Sequence, residues 1–189
     1  MIDDIYTIDN VISIAEQNDL EDLFTSQGLA WVFFKDIALS SSEIKKLGIT
    51  KLTPGIGCYI LQDNPKFVNQ KLLDKVKIIP ERACKVINRE CKEIFNVRSF
   101  MQFPLVEELR KEYDNPHIDI NYEHLVCLYY VNDSDGDTFL FDKIDNELKI
   151  KKRITPKKGR VLLFNGNRYH ASSGPTNGIR CIINFNVSI

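Results

Sequence analysis

The sequence predicts a mostly β, α+β chain: a double-stranded β-helix (jelly roll) core with N-terminal helices packed on one of its sheets. Two observations carry this reading. Apolar residues recur at helical spacing in two N-terminal stretches, whereas from residue 98 to the C-terminus short apolar runs alternate with turn residues. A helix has one apolar stripe to bury and a sheet has one apolar face, so helices ahead of a strand-rich half pack as a layer on a sheet.

Taken in order, Val11, Ile12, Ala15, Leu20 and Leu23 place a helix over 9–26, ending near Gly28, and 29–34 then reads as a strand. Trp31, Phe33 and Phe34 are expected in the core rather than as a ligand platform. The polar stretch 48–77, with Pro54, Gly55, Gly57 and Pro65, reads as irregular, either a surface excursion or a substrate-covering lid. Pro80 opens a second helix, in which Ala83, Val86, Ile87, Ile94 and Phe95 recur at helical spacing and Asn96 caps the end. A strand over 98–103 and a polar loop over 107–115 lead to His117-Ile118-Asp119. After it, 125–132 reads as a buried strand, 133–137 as a tight turn and 138–141 as the partner strand of a hairpin. The turn Pro156-Lys157-Lys158-Gly159 leads into the apolar run 160–164, and Arg180 opens the terminal strand over 180–185. The whole chain, 1–189, is expected to be a single domain, with 1–97 as helical support and substrate-side segments and 98–189 as core strands carrying the site.

Length and charge narrow the function classes. A chain of 189 residues fits one core. A net charge of -1 argues against a generally basic nucleic-acid binder. The strip Lys149, Lys151, Lys152, Arg153, Lys157, Lys158 and Arg160 reads as the solvated face of a hairpin rather than a polyanion contact. Five cysteines without CxxC spacing suggest neither a disulfide framework nor a zinc ribbon, and Cys127 and Cys181 fall in core strands as small hydrophobes. The acidic start Met1-Ile2-Asp3-Asp4 lacks the features of a secretory signal, and no segment reaches the roughly 18 apolar residues of a membrane span, so a cytoplasmic location is expected.

The chemistry gathers in the second half. Side chains at i and i+2 of a strand share a face, so His117 and Asp119 project together while Ile118 packs behind them. An HxD pair alone recurs by chance on surface strands. Here, however, His170 follows the apolar run 160–164, where another strand can deliver it to the same place. Two imidazoles and one carboxylate leave positions open on an octahedral metal, the arrangement of non-haem Fe(II) oxygenases. Arg180 shares its face with Ile182 and Asn184, and a buried arginine needs an anion. His124, the third histidine, is expected to be a satisfied or solvent-facing side chain rather than a ligand.

From about Pro116 onward the chain resembles the Fe(II)- and 2-oxoglutarate-dependent dioxygenases, specifically the prolyl-4-hydroxylase-like branch and its small phage-borne members. The resemblance lies in HID at 117–119, LYYVNDSDGDT at 128–138, PKKGRVLLF at 156–164, His170 and Arg180. Where that family often has a Gly-Gly pair before its Asp-Thr, the first position here is Asp135. The resemblance implies that His117, Asp119 and His170 hold iron and that Arg180 grips the distal carboxylate of 2-oxoglutarate, with Tyr130 and Asn184 assigned beside it. It also implies O2 as co-reactant, ascorbate as an aid to turnover and, if the chain is phage-encoded, a host-cytoplasm location. The expected reaction hydroxylates a C–H bond, of a peptidyl proline or other protein residue first, with release of succinate and CO2. A hydroxylase of a free amino acid or other small molecule, a non-catalytic jelly-roll binding module and a zinc hydrolase stay open. No nucleic acid or membrane partner is expected.

Overall fold

The computed structural model describes residues 5–63 and 66–189; the acidic start Met1–Asp4 and Pro65 lie outside the described residues. The strands are β1 (Tyr6–Asp9), β2 (Val32–Phe34), β3 (Gly55–Gln62), β4 (Phe67–Val68), β5 (Glu93–Gln102), β6 (Leu125–Tyr130), β7 (Thr138–Ile144), β8 (Glu147–Ile154), β9 (Arg160–Asn165), β10 (His170–Ser172) and β11 (Arg180–Ser188). The helices are α1 (Ile14–Thr25), α2 (Ser41–Leu47), α3 (Gln70–Val76) and α4 (Ile78–Val86). One sheet runs β1-β9-β6-β11-β5-β3-β2 with β4 beside β3, and the other runs β10-β7-β8.

The two faces of the large sheet have different tasks. Its outer face joins Leu20 and Phe24 of α1, Leu72 and Val76 of α3 and Ile79, Ala83 and Cys84 of α4 to Val97, Cys127, Leu163, Cys181 and Ile183 of the strands. This is the expected helical layer on one sheet, with Cys127 and Cys181 as buried apolar groups. Its inner face places Phe100, Leu128, Tyr130, Leu162, Phe164 and Ile182 against Leu140 and Ile154 of the small sheet. Period-two alternation sends neighbouring residues of β5, β6 and β11 to opposite faces, so one strand serves both cores.

Several expectations are corrected. The first helix begins at Ile14, not residue 9: its N-cap Ser13 forms a reciprocal capping box with Glu16, while Tyr6–Asp9 forms an unforeseen strand antiparallel to β9. The second helix stops at Val86, with Asn88 at φ 56°, so Ile94 and Phe95 belong to β5 instead. The stretch 48–77 is not a lid, because β3 within it pairs with β5 and β2. Its glycines mark close approach rather than disorder. A Cβ on Gly55 would lie 2.6 Å from Ile37 Cγ2 and 2.8 Å from the Met101 carbonyl oxygen.

The expected hairpin of 125–132 with 138–141 is likewise absent. β6 pairs with β9 and β11, whereas β7 pairs with β8 and β10, so residues 133–137 carry the chain from one sheet to the other. Lys149, Lys151, Lys152 and Arg153 of the basic strip lie exposed on β8, which forms a hairpin with β7 through Asp145 and Asn146 at positive φ, whereas Lys158 and Arg160 are half-buried and pair with Glu21 and Asp9. No helix among the described residues is long and apolar enough to cross a membrane.

Candidate metal and cosubstrate site

Between the inner face of the large sheet and the small sheet lies a cavity of about 330 Å³, and His117, Asp119, His170, Arg180 and Asn184 all line it. His117 does not sit in a full strand as expected. Pro116 has no N–H to extend a ladder, and His117 makes a single antiparallel bridge to His170, each backbone N–H donating to the other's carbonyl at 3.0 Å. That bridge sets the two imidazoles side by side, with ring centroids 4.5 Å apart. Upstream, Asp114 is buried and accepts from Thr53 Oγ1 at 2.7 Å, Gln102 Nε2 at 3.0 Å and Ser172 Oγ at 2.7 Å. This latch holds the HxD segment against β5 and β10.

The donor atoms converge. His117 Nε2 lies 3.5 Å and His170 Nε2 lies 3.6 Å from Asp119 Oδ1, and the ligand atoms of the three residues lie within 4.8 Å of one another. Nδ1 of His117 faces the Asn115 carbonyl at 3.0 Å, and Nδ1 of His170 faces the Arg168 carbonyl at 3.2 Å. A carbonyl only accepts, so each Nδ1 carries the proton and each Nε2 turns a lone pair toward Asp119. The other carboxylate oxygen is occupied: Asn184 Nδ2 donates to Asp119 Oδ2 at 2.6 Å and Asn186 Nδ2 at 3.0 Å. Two lone pairs and one free anionic oxygen on a common point are the donor set of a divalent first-row metal, so the residues fit Fe(II).

Electrostatics agree. Burial opposes ionisation of Asp119, but hydrogen bonds and charge from His117 and His170 outweigh it and hold its carboxyl well below the usual carboxylate range. Burial also opposes charging of His117, yet the hydrogen bond and charge of Asp119 raise its pKa. A buried carboxylate held ionised beside two imidazoles is a site that favours a cation.

Arg180 forms the other end. It is 3% exposed, and its Nε donates to the Gly136 carbonyl at 2.9 Å, one terminal nitrogen to Gln102 Oε1 at 3.0 Å and the other to Thr138 Oγ1 at 2.8 Å. A guanidinium has five N–H donors, so two remain for a ligand, and burial alone pushes its pKa down in the absence of an ion-paired carboxylate among the described residues. Gly136 is required here, because a Cβ would lie 2.6 Å from the Ser173 carbonyl oxygen and 3.0 Å from Arg180 Cδ. Asp135, where the resembled family often has glycine, turns outward and accepts from the Thr176 backbone N–H at 2.9 Å.

Tyr130 stands behind the cavity wall, whereas Asn184 lines the cavity. The fully buried Tyr130 hydroxyl donates to Thr138 Oγ1 at 2.8 Å, and Tyr130 supports the Arg180 partner without lining the cavity. Asn184 orients the Asp119 carboxylate through its side-chain amide. Asn186 was missed, although it continues the alternation Arg180, Ile182, Asn184 by one more step on the same face. Phe34, expected in the core, lines the cavity, and Phe33 is 66% exposed. The cavity wall over 36–43 was also missed, although Ser40 and Glu43 carry the S-x-x-E capping signature that starts α2. His124 stands apart: it is buried, its Nδ1 faces the Tyr122 carbonyl at 2.7 Å and its ring packs on Gly166.

No protein-family model matches the chain. No curated protein matches it either. Solved structures do share its fold. A 2-oxoglutarate-Fe(II) oxygenase family member from Burkholderia pseudomallei aligns with TM-score 0.67 and 11% identity over 97% of this chain and 84% of its own. A prolyl hydroxylase from Trichoplax adhaerens, in complex with a hypoxia-inducible-factor peptide fragment, aligns at 0.61 with 15% identity over 97% and 82%. The 2-oxoglutarate-dependent epimerase SnoN from nogalamycin biosynthesis aligns at 0.63 with 9% identity over 98% and 78%. At these identities the likeness is one of fold, and the chain has the jelly-roll fold of the 2-oxoglutarate-Fe(II) oxygenases.

Proposed function

We propose that this protein is an Fe(II)- and 2-oxoglutarate-dependent oxygenase that hydroxylates a C–H bond of a peptide or protein residue, with proline the first candidate. The observation that carries this reading is the placement of a cation-compatible end and an anion-compatible end in one cavity: a His-Asp-His donor set with its lone pairs turned inward, and a buried Arg180 with two free donors. His117, Asp119 and His170 would hold the iron, and Arg180 would hold the distal carboxylate of 2-oxoglutarate through a charge-assisted pair. Bound together, iron, 2-oxoglutarate and O2 supply oxidation of a C–H bond coupled to decarboxylation of the cosubstrate to succinate and CO2.

The chain's own residues orient and enclose. Asn184 and Asn186 keep Asp119 Oδ2 occupied, so Oδ1 is the oxygen presented to the cavity. Leu128, Phe164 and Ile182 line the cavity wall and exclude water beside the donor set. Phe34 stands 6.0 Å from the Tyr59 ring and 5.7 Å from the Phe100 ring, an aromatic wall that suits a pyrrolidine ring or another apolar side chain. The peptide reading draws further support from the Trichoplax neighbour, which holds a peptide fragment. A zinc hydrolase reading gives Arg180 no task. Ascorbate enters only as an additive that keeps iron reduced.

The test is succinate formation by the Fe(II)-loaded protein with 2-oxoglutarate and O2, with a panel of proline-containing peptides followed by mass spectrometry. Succinate from the wild type and a +16 Da product on a peptide support the reading. Succinate formation that is absent from the wild type, or unchanged in Asp119→Ala, overturns it.

A further inference from the structure

Arg98 is a second cation in the same cavity, and among the described residues no protein anion pairs with it. On β5, residues 98, 100 and 102 share the inner face. Gln102 stands at the Arg180 end. Arg98 lies four residues away, about 13 Å along the strand, opposite Asn184 on β11 and Tyr59 on β3. Its guanidinium carbon lies 5.4 Å from the Phe100 ring centroid, a cation–π contact that steers the head group along the cavity wall. Arg98 Nε is buried without a hydrogen-bond partner among the described residues, and so is Asn184 Oδ1.

The carboxylates that line the cavity have partners other than Arg98. Asp36 accepts from the backbone N–H groups of Ala38, Leu39 and Thr53, each at 3.0 Å. Glu43 is bound by Ser40, and Asp119 by Asn184 and Asn186. Among the described residues none lies within ion-pair distance of Arg98. The two carboxylates of 2-oxoglutarate are already accounted for under the reading above, one at Arg180 and one at the metal. A buried donor without an acceptor is costly, and a carboxylate brought by a ligand removes that cost.

We propose that Arg98 anchors a carboxylate of the substrate, so that the molecule hydroxylated carries an anionic group beside the C–H bond presented to the metal. This rests on the 2-oxoglutarate oxygenase reading and sharpens it: the substrate is a carboxylate-bearing residue or small molecule. The carboxylate comes either from a free α-carboxylate or from an acidic side chain in a peptide, and two probe pairs separate these sources.

The experiment uses full-length protein loaded with Zn(II) and 2-oxoglutarate, which does not turn over, labelled with 15N at arginine. N-acetyl-L-proline is titrated against N-acetyl-L-prolinamide, and acetyl-Pro-Glu-amide against acetyl-Pro-Gln-amide, while the Arg98 Nε–H resonance is followed; Arg98→Lys assigns it. In at least one pair the carboxylate shifts that resonance saturably and binds at least tenfold tighter than its amide, and the pair that does so names the source. Arg98→Met abolishes the preference and Arg98→Lys keeps part of it, while the Kd for 2-oxoglutarate stays within threefold. Equal binding within both pairs, or no response of the resonance to any probe, overturns the proposal. So does a tenfold weaker 2-oxoglutarate affinity in Arg98→Met, which would assign the residue to the cosubstrate. Failure of the parent reading is seen separately, as a wild-type protein that binds no 2-oxoglutarate when the metal is present.

Discussion

Asn184 donates its side-chain amide to Asp119 Oδ2 at 2.6 Å across 65 positions of chain, from the same strand whose first residue is Arg180. One strand, β11, therefore orients the Asp119 carboxylate and supplies the cation at the other end of the cavity. Asn186 reaches the same oxygen at 3.0 Å. Because Oδ2 is held twice, Oδ1 has one direction to face, and that direction is the two Nε2 atoms.

Asn184→Ala should therefore weaken metal binding by about 10- to 100-fold, the usual cost of losing an outer hydrogen bond to a ligand. Asn186→Ala should cost less, since the longer of the two bonds is lost. Calorimetric titration with Mn(II) checks both, and equal metal affinity in Asn184→Ala and wild type would show that the packing around Asp119 orients it without the amide.

Under the proposed function, Arg180→Met should raise the Kd for 2-oxoglutarate by roughly 100-fold or more, about 3 kcal/mol, because it removes the buried charge that would pair with the distal carboxylate. Metal affinity should stay within a few-fold. Tyr130→Phe removes only a hydroxyl donated to Thr138, so it should cost about 1 kcal/mol of stability and leave 2-oxoglutarate affinity within threefold. Anaerobic binding titrations together with thermal melts separate the two effects.

Gly55→Ala should destabilise the fold by about 1–3 kcal/mol, as overpacking does, because its Cβ would meet the Met101 carbonyl, which cannot rotate away as a side chain can. For a chain of this length that lowers the Tm by roughly 2–4 °C per kcal/mol. Gly48→Ala, with open space around its Cβ but φ at 63°, tests backbone strain alone. A Gly55→Ala melt equal to that of wild type would mean that β3 shifts freely on β5.

Acid should loosen the clasp that holds β1 to β9. Arg160 donates to Asp9 at 2.7 Å and lowers its pKa below the ordinary 3.8. A depressed folded-state value means that the pairing stabilises the fold above the ordinary value and is lost as pH falls through the depressed one. Asp9 is about one-third exposed, so the effect is worth under about 1 kcal/mol. Asp9→Asn should melt slightly below wild type at pH 7 and equal to it near pH 2, and a gap that persists at pH 2 would show the pairing to be irrelevant.

What the sequence by itself determined was whatever depends on local chemistry and period. That His117, Asp119, His170 and Arg180 belong to one cavity was legible because few residue types combine donor atoms or charge with strand spacing of this kind, and the apolar runs of β6, β9 and β11 were legible because each is buried on both faces. Tertiary structure decided which sheet each strand joins. The pattern at 125–141 carries no sign that β6 and β7 part company, since alternation reports a face and not a neighbour. It also decided that the glycines of β3 lie under Ile37 and Phe34, that Asn184 reaches Asp119 and that Tyr130 sits behind Thr138. Arg98 reads locally as any strand arginine. Only the approach of β11, β3 and the 36–43 wall encloses it without an anion, because burial is set by contacts distant in sequence.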